Sequence, residues 1–222
     1  QFIAARFECL FQQVQSTPSI CELSVLLPSE RALLADVNNT RVDYGEIGCI
    51  HRDVARRADE HPQKVAAMLD EASITYAELL FHTQRLAIHL ITECNVQPAD
   101  VVCQLMERSL EMVIGMVAIV MSGATYTGLS PIDPVGRLQT YVDQTHSHLV
   151  LVHASTQYIP LSGCAMVSLD RSILLDTVND EDNIAVLDKV TVTPDHVSLI
   201  VFTSGSTGAP KGVSHAIRFH SS

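Results

Sequence analysis

The 222-residue chain contains no tryptophan, and only 5% of its residues are aromatic. A surface that stacks nucleic-acid bases needs exposed aromatic side chains, which this composition hardly supplies. Basic residues are also scarce, since 14 Lys and Arg stand against 25 Asp and Glu, for a net charge of −11. That charge opposes the binding of polyanions. The composition therefore predicts that the chain does not bind nucleic acid.

The sequence also has no cysteines at the spacing of a metal site and no apolar run long enough to cross a membrane. None of the six cysteines lies in a C-x-x-C pair, and their density does not suit a disulfide framework, so we expect reduced thiols and no metal site. The longest apolar run, Met112 to Met121, is too short for a bilayer, which takes about 20 residues. No secretory or transit signal is visible. We predict a buried core helix there, no membrane partner and a cytoplasmic location.

Hydrophobic residues make up 47% of the chain, enough for a substantial core. Their periodicity predicts strands that alternate with helices, which is typical of an α/β fold with a mostly parallel, doubly wound sheet. A capping box at Thr75-x-x-Glu78 and a cap at Ser109 mark two helix starts, and the acidic run at 180–182 suggests a loop. The predicted strands are 65–69, 100–105, 125–129, 149–152, 165–168 and 197–202, and the predicted helices are 3–14, a short one after Ser29, 76–92, 110–122 and one that opens at Asp133-Pro134.

The apolar run at 197–202 leads directly into a loop rich in glycine and hydroxyl groups, Thr203 to Gly212. Glycines let the backbone N–H groups approach a phosphate closely, and Lys211 adds a point charge. The spacing is not that of a Walker A loop, because Pro210 stands where the second glycine belongs and Gly212 follows the lysine. A G-x-G-x-x-G pattern is absent too. The loop therefore suits a polyphosphate, and the alternative is an ordinary surface loop.

Residues 201–213, VFTSGSTGAPKGV, closely resemble the phosphate-loop motif of the adenylate-forming (AMP-dependent synthetase and ligase) superfamily. These enzymes activate a carboxylate with ATP to give an acyl-adenylate and pyrophosphate, and the acyl group then passes to a thiol. The resemblance implies ATP with Mg²⁺ as cofactor and assigns no catalytic residue or metal ligand within this chain. It implies that the β- and γ-phosphates are held by Thr203, Ser204, Gly205, Ser206, Thr207, Gly208 and Lys211.

Two upstream segments resemble core motifs of the amino-acid-activating branch. Residues 74–79, ITYAEL, resemble the first core motif, and residues 122–131, SGATYTGLSP, followed by Arg137-Leu138, resemble the second. The second segment departs from the pattern, which usually has proline at the position of Gly128 and aspartate at that of Ser130. These departures bear on the local turn rather than on the chemistry.

Residues 26–34, LLPSERALL, followed by Asn38-Asn39-Thr40, resemble the linker between a condensation and an adenylation domain in nonribosomal peptide synthetases. The resemblance implies that 1–16 is the last helix of a condensation domain, 17–50 the linker, and 51–222 the N-terminal portion of an AMP-binding adenylation domain. The implied partners are ATP, an amino or other carboxylic acid, and the condensation and carrier domains of the parent chain. The carrier domain would bear phosphopantetheine.

The adenylate-forming pattern also includes a Tyr-Gly-x-Thr-Glu motif and a catalytic lysine, and neither is found here. The three lysines are Lys64, Lys189 and Lys211, and the first two lie in the wrong context. We therefore expect a truncated piece of an AMP-forming ligase whose parent activates an amino acid, and we expect this piece to be inactive by itself. Two alternatives stay open, a non-catalytic remnant or scaffold and a fatty-acyl or reductase-type adenylating enzyme.

Overall fold

The computed structural model describes residues 2–14, 19, 22–40, 47–169, 180–193, 195–203, 210–216 and 219–220. The chain divides into two compact units, Gln1–Asp43 and Tyr44–Ser222. This division falls within the segment that the sequence analysis assigns to a linker.

The first unit contains two helices, α1 (Phe2–Val14) and α2 (Pro28–Val37). The side chain of Gln13 in α1 bonds to both backbone groups of Ser24, at 2.9 Å to its carbonyl and 2.8 Å to its N–H. The carboxylate of Glu30 accepts from the backbone N–H of Leu27 at 3.0 Å and from Arg6 at 2.7 Å. These bonds tie α1 to the start of α2.

The second unit is built on a six-stranded sheet with the strand order β7-β6-β4-β5-β8-β9. All neighbouring pairs are parallel except β8 and β9, which are antiparallel. This arrangement confirms the predicted mostly parallel α/β sheet. The strands are β4 (Val101–Leu105), β5 (Thr125–Leu129), β6 (Leu149–Val152), β7 (Ala165–Ser168), β8 (Val197–Thr203) and β9 (Lys211–Ala216).

Helices cover both faces of this sheet. On one face lie α3 (Ile50–Glu60), α4 (Tyr76–Thr92) and α5 (Leu110–Met121), whose core includes Val102 of β4. On the other face α6 (Val135–Thr145) packs on a second core that includes Cys103, also of β4. Because successive residues of a strand point to opposite faces, these two neighbours divide the core into two layers.

The apolar run at 112–121 forms most of α5, which is buried over most of its length, as predicted for a core helix. Within the part of the chain that the structure describes, no helix is both long and apolar enough to span a bilayer. The predicted caps are present. Thr75 and Glu78 exchange capping hydrogen bonds at the start of α4, and the hydroxyl of Ser109 accepts from the backbone N–H of Met112 at 3.0 Å.

Several elements differ from the sequence prediction. The expected loop at 180–182 is wrong, because this stretch begins helix α7 (Asp180–Asp188), where Leu187 packs against the core. Helix α6 begins at Val135, with Pro134 as its N-cap rather than its first residue. The sequence predicted β2 (Val65–Leu69) but not β3 (Ala72–Thr75), the strand that pairs with it in a hairpin. It also did not predict α3, β9 and the short pair β1 (Ile47–Gly48) and β10 (Phe219–His220).

Candidate nucleotide-binding site

The predicted phosphate-binding loop lies between two paired strands. Thr203 ends β8 and Lys211 begins β9, and the two residues are register partners. Because β8 runs parallel to β5, Thr203 lies at the carboxyl edge of the sheet, the edge where ligands bind in open α/β folds. The structure thus brings the first and last predicted site residues together. The remaining predicted residues, Ser204, Gly205, Ser206, Thr207 and Gly208, lie outside the described residues.

Thr203 and Lys211 are both exposed, and the hydroxyl of Thr203 donates to the backbone carbonyl of Lys211 at 3.4 Å. Among the residues that the structure describes, no carboxylate lies within ion-pair distance of the Lys211 ammonium. The Lys211 ammonium is therefore a candidate partner for an anion. This pair supplies one hydroxyl group and one cation at the mouth of the hairpin.

An aromatic stack supports the hairpin from the α6 side of the sheet. The ring of Phe202 lies 4.1 Å from that of Tyr141 in α6, with an interplanar angle of 28°. The hydroxyl of Tyr141 in turn accepts from Nε of Arg137 at 2.5 Å. Sequence reasoning did not identify this support, because the contact joins residues about 60 positions apart and no local spacing reports it.

Close packing between β9 and β8 accounts for the glycine at position 212, directly after Lys211. It is the register partner of Phe202, and a Cβ at position 212 would lie 3.3 Å from the Phe202 ring and 3.5 Å from Cγ2 of Ile200. The contact with the ring is tight, so a side chain at this position would press on the stack. Gly212 therefore lets β9 pair closely with β8 directly after Lys211.

An open cleft of about 370 Å³ adjoins the hairpin on the same side of the sheet. Its lining residues are Gln144, Thr145, Ile200, Phe202, Gly212 and Ser214. These described residues combine apolar surface with hydroxyl and amide groups, and none of them has an ionisable side chain. Gly212 and Ser214 belong to the strand that begins at Lys211, so the cleft adjoins that lysine.

The second core motif lies at the same carboxyl edge. Gly128 is within β5, and a Cβ there would lie 2.8 Å from the hydroxyl of Tyr126. Ser130 begins the turn after β5, where its carbonyl accepts from the backbone N–H of Asp133 at 3.0 Å. The departure at Gly128 thus concerns strand packing, whereas the departure at Ser130 falls in a turn.

Three buried or half-buried groups outside the hairpin have altered pKa values. Burial raises the pKa of the Cys103 thiol and of the Tyr126 hydroxyl, and burial together with Arg52 lowers the pKa of His51 to about 4. Within the described ranges, no cluster of three His, Cys, Asp or Glu side chains could hold a metal ion. The described part of the site can bind an anion and stabilise negative charge, and it contains no group placed for proton transfer.

Comparison with known proteins identifies the family. A family model described as AMP-binding enzyme matches residues 54–220. Malpinin synthetase from Mortierella alpina is 33% identical over 199 residues, which is 87% of this chain and 2% of that protein. Tyrocidine synthase 3 from Brevibacillus parabrevis is 33% identical over 199 residues, 86% of this chain and 3% of that protein. The chain thus spans only a few per cent of the length of these relatives.

Solved structures show the same fold. The nonribosomal peptide synthetase FmoA3 aligns with 97% of this chain and 23% of its own length, with a TM-score of 0.75 and 21% identity. The family model covers the six-stranded sheet and the β8–β9 hairpin, including the motif at 201–213. The chain therefore belongs to the AMP-binding family of adenylate-forming enzymes, with homologues among the nonribosomal peptide synthetases.

Proposed function

We propose that the protein to which this chain belongs activates an amino acid with ATP, as an acyl-adenylate, for nonribosomal peptide synthesis. In this proposal the chain contributes the phosphate-binding loop between Thr203 and Lys211. The observation that carries it is the register of the β8–β9 hairpin, which pairs these two residues at the carboxyl edge of the sheet. The family match and the peptide-synthetase relatives support the same activity.

The chemistry of adenylation suits such a site. The substrate carboxylate is itself the nucleophile and attacks the α-phosphorus of ATP, so pyrophosphate leaves. The main task of the protein is to hold the phosphates and stabilise their charge. The ammonium of Lys211 would face the β- and γ-phosphates. The hydroxyl of Thr203 would exchange its long bond to the Lys211 carbonyl, 3.4 Å, for one to a phosphate oxygen. Mg²⁺ commonly binds through substrate phosphates, so it would enter this site together with ATP.

The first unit would connect this domain to its neighbour. The apolar residues Ile3, Phe7 and Phe11 recur on one face of α1 and are 63–76% exposed. Such a stripe is typical of a surface that another protein segment covers. We propose that residues 1–16 end a condensation domain, that 17–50 form the linker, and that 51–222 begin the adenylation domain. A carrier domain with phosphopantetheine would then accept the acyl group.

One substitution tests the assignment of the loop. In the full-length protein, Lys211→Ala should weaken ATP use about ten- to a hundredfold, because a hydrogen bond to a charged group contributes roughly 1.5–3 kcal/mol. The measurement is amino-acid-dependent ATP–pyrophosphate exchange at varied ATP, with the melting temperature followed in parallel. Lys189→Ala is the matched control, since Lys189 is also exposed but lies next to α7. The isolated 222 residues are the negative control.

The outcomes separate the alternatives. Equal ATP constants for Lys211→Ala and Lys189→Ala would remove Lys211 from the site. Exchange that depends on fatty acids instead of amino acids would favour a fatty-acyl or reductase-type enzyme. A full-length protein that binds no ATP and supports no exchange would favour the remnant or scaffold.

A further inference from the structure

A short segment at the start of the second unit contacts the chain on both sides of the β8–β9 hairpin. Ile47 and Gly48 of β1 pair antiparallel with β10, which follows β9. Cys49 comes next and is only 5% exposed. Its thiol donates to the backbone carbonyl of Val192, which precedes β8, with the sulfur 3.7 Å from the oxygen. Residues 47–49 thus form a clasp around the hairpin.

Hydrogen bonds connect the Val192 contact to β8. The backbone N–H of Thr193 donates to Nδ1 of His196 at 3.0 Å, and the backbone N–H of His196 donates to the carbonyl of Thr193 at 3.0 Å. The carbonyl of Val197, the first residue of β8, accepts from the hydroxyl of Thr125 in β5 at 2.7 Å. A bonded turn therefore links the clasp to the beginning of the strand that ends at Thr203.

The other contact restrains β9, which is an edge strand. All six of its residues are exposed, and in the described part of the chain its only strand partner is β8. A strand held on one side opens more easily than a central strand. Two residues separate the end of β9 at Ala216 from β10, so the pairing of β10 with β1 restrains the far end of the strand that begins at Lys211.

We infer that the clasp of residues 47–49 is a positioning element for the ATP site, because it holds both flanks of the hairpin that carries Thr203 and Lys211. The clasp does not touch the nucleotide. It acts by keeping β9 in register with β8, so that the lysine stays beside the threonine. The expected effect on ATP binding rests on the proposed function. The expected effect on the pairing of β9 with β8 rests on the fold alone.

Three cysteine variants of the full-length protein test the inference. Cys49→Val keeps the buried bulk but removes the S–H donor, and Cys49→Ser restores a donor. Cys94→Val is the matched control, because Cys94 is a partly buried cysteine that packs against the α4–α5 core rather than beside the hairpin. Three quantities are measured: the KM for ATP and the KM for the amino acid in pyrophosphate exchange, and the hydrogen exchange of 211–216 relative to 101–105.

We expect Cys49→Val to raise the KM for ATP about two- to tenfold, the range that corresponds to one neutral hydrogen bond. Exchange at 211–216 should accelerate while 101–105 is unchanged, and the KM for the amino acid should stay constant. Cys49→Ser should restore the KM for ATP and the exchange rate at 211–216, and Cys94→Val should alter neither of these. The inference is overturned if Cys49→Val lowers only the melting temperature, or if Cys49→Ser behaves like Cys49→Val. If the wild-type protein uses no ATP, the proposed function fails, and exchange at 211–216 still decides whether the clasp exists.

Discussion

At the scale of single residues, one close approach determines how α5 lies on the sheet. Gln104 of β4 is 2% exposed, and its Nε2 donates to the backbone carbonyl of Met112 at 3.1 Å. A Cβ at Gly115 would lie only 2.6 Å from the same nitrogen. The absence of a side chain at 115 therefore lets the helix cover a buried amide without a clash.

Gly115→Ala should consequently lower the free energy of unfolding by about 1–3 kcal/mol, the usual cost of overpacking a core. The matched control is Gly136→Ala in α6, where an added Cβ meets nothing within 4 Å. That change should be neutral or stabilise by about 0.5–1 kcal/mol through the unfolded chain. Urea unfolding of both variants gives the comparison, and equal stability for the two would contradict this account of Gly115.

His51 gives the fold a pH dependence. Burial, and then the nearby charge of Arg52, lowers its pKa from 6.5 to about 4 in the folded state. The unfolded chain therefore binds more protons between these two values, and stability must fall as the pH drops from about 6.5 to 4. Each pKa unit corresponds to about 1.4 kcal/mol, so the contribution of His51 to this loss is about 3 kcal/mol.

The free energy of unfolding, measured between pH 4 and 7.5, checks this prediction. His51→Gln removes the titrating group, so its curve should decline less steeply below pH 6.5 than that of the wild type. Above that pH the two curves should run parallel. Identical slopes below pH 6.5 would show that His51 titrates normally in the folded state.

At the scale of elements, α4 shows how local sequence sets a helix boundary. The hydroxyl of Thr75 accepts from the backbone N–H of Glu78 at 3.3 Å, and the carboxylate of Glu78 accepts from the backbone N–H of Thr75 at 2.8 Å. These bonds satisfy two N–H groups that a helix end leaves unpaired. The carboxylate also gains stability as an anion, since its bonds to Thr75 hold the pKa of Glu78 below its ordinary value.

Thr75→Ala removes the hydroxyl half of this box and should destabilise the protein by about 1 kcal/mol. Thr75→Ser keeps the hydroxyl and should stay within about 0.5 kcal/mol of the wild type. Thermal or urea unfolding followed by circular dichroism measures both. A Thr75→Ser variant that loses as much as Thr75→Ala would mean that the methyl group, rather than the cap, matters at this position.

Some helices and strands are predictable from their own sequence, whereas others form only because a neighbouring element packs or pairs with them. Strands β4, β5, β6 and β7 and helices α4 and α5 were predictable because each carries its own apolar periodicity or cap. The sequence KGVSHA of β9 carries no such pattern, and this segment is a strand because β8 lies beside it. Helix α7 was misread because its acidic start resembles a loop, while the contact of Leu187 with the core is visible only in the fold.

At the scale of the whole molecule, every strand of the main sheet has its partners within the second unit. Deletion of residues 1–43 should therefore leave the sheet intact, because Tyr44–Ser222 holds all six strands and the two core clusters. The expected result is unchanged hydrogen-exchange protection at 101–105 and 149–152. Loss of protection there on deletion would show that the first unit is part of the folding core.

The sequence by itself determined the family and the alternation of strands and helices, because these depend on residue types at short spacing. It identified Thr203 and Lys211 as candidates without showing that they are register partners. Only the tertiary structure decided the strand order, the stack of Tyr141 on Phe202, and the contacts of residues 47–49 with both flanks of the hairpin. Those features join residues far apart in the chain, and their energies arise when packing brings the two partners together, so no local pattern records them.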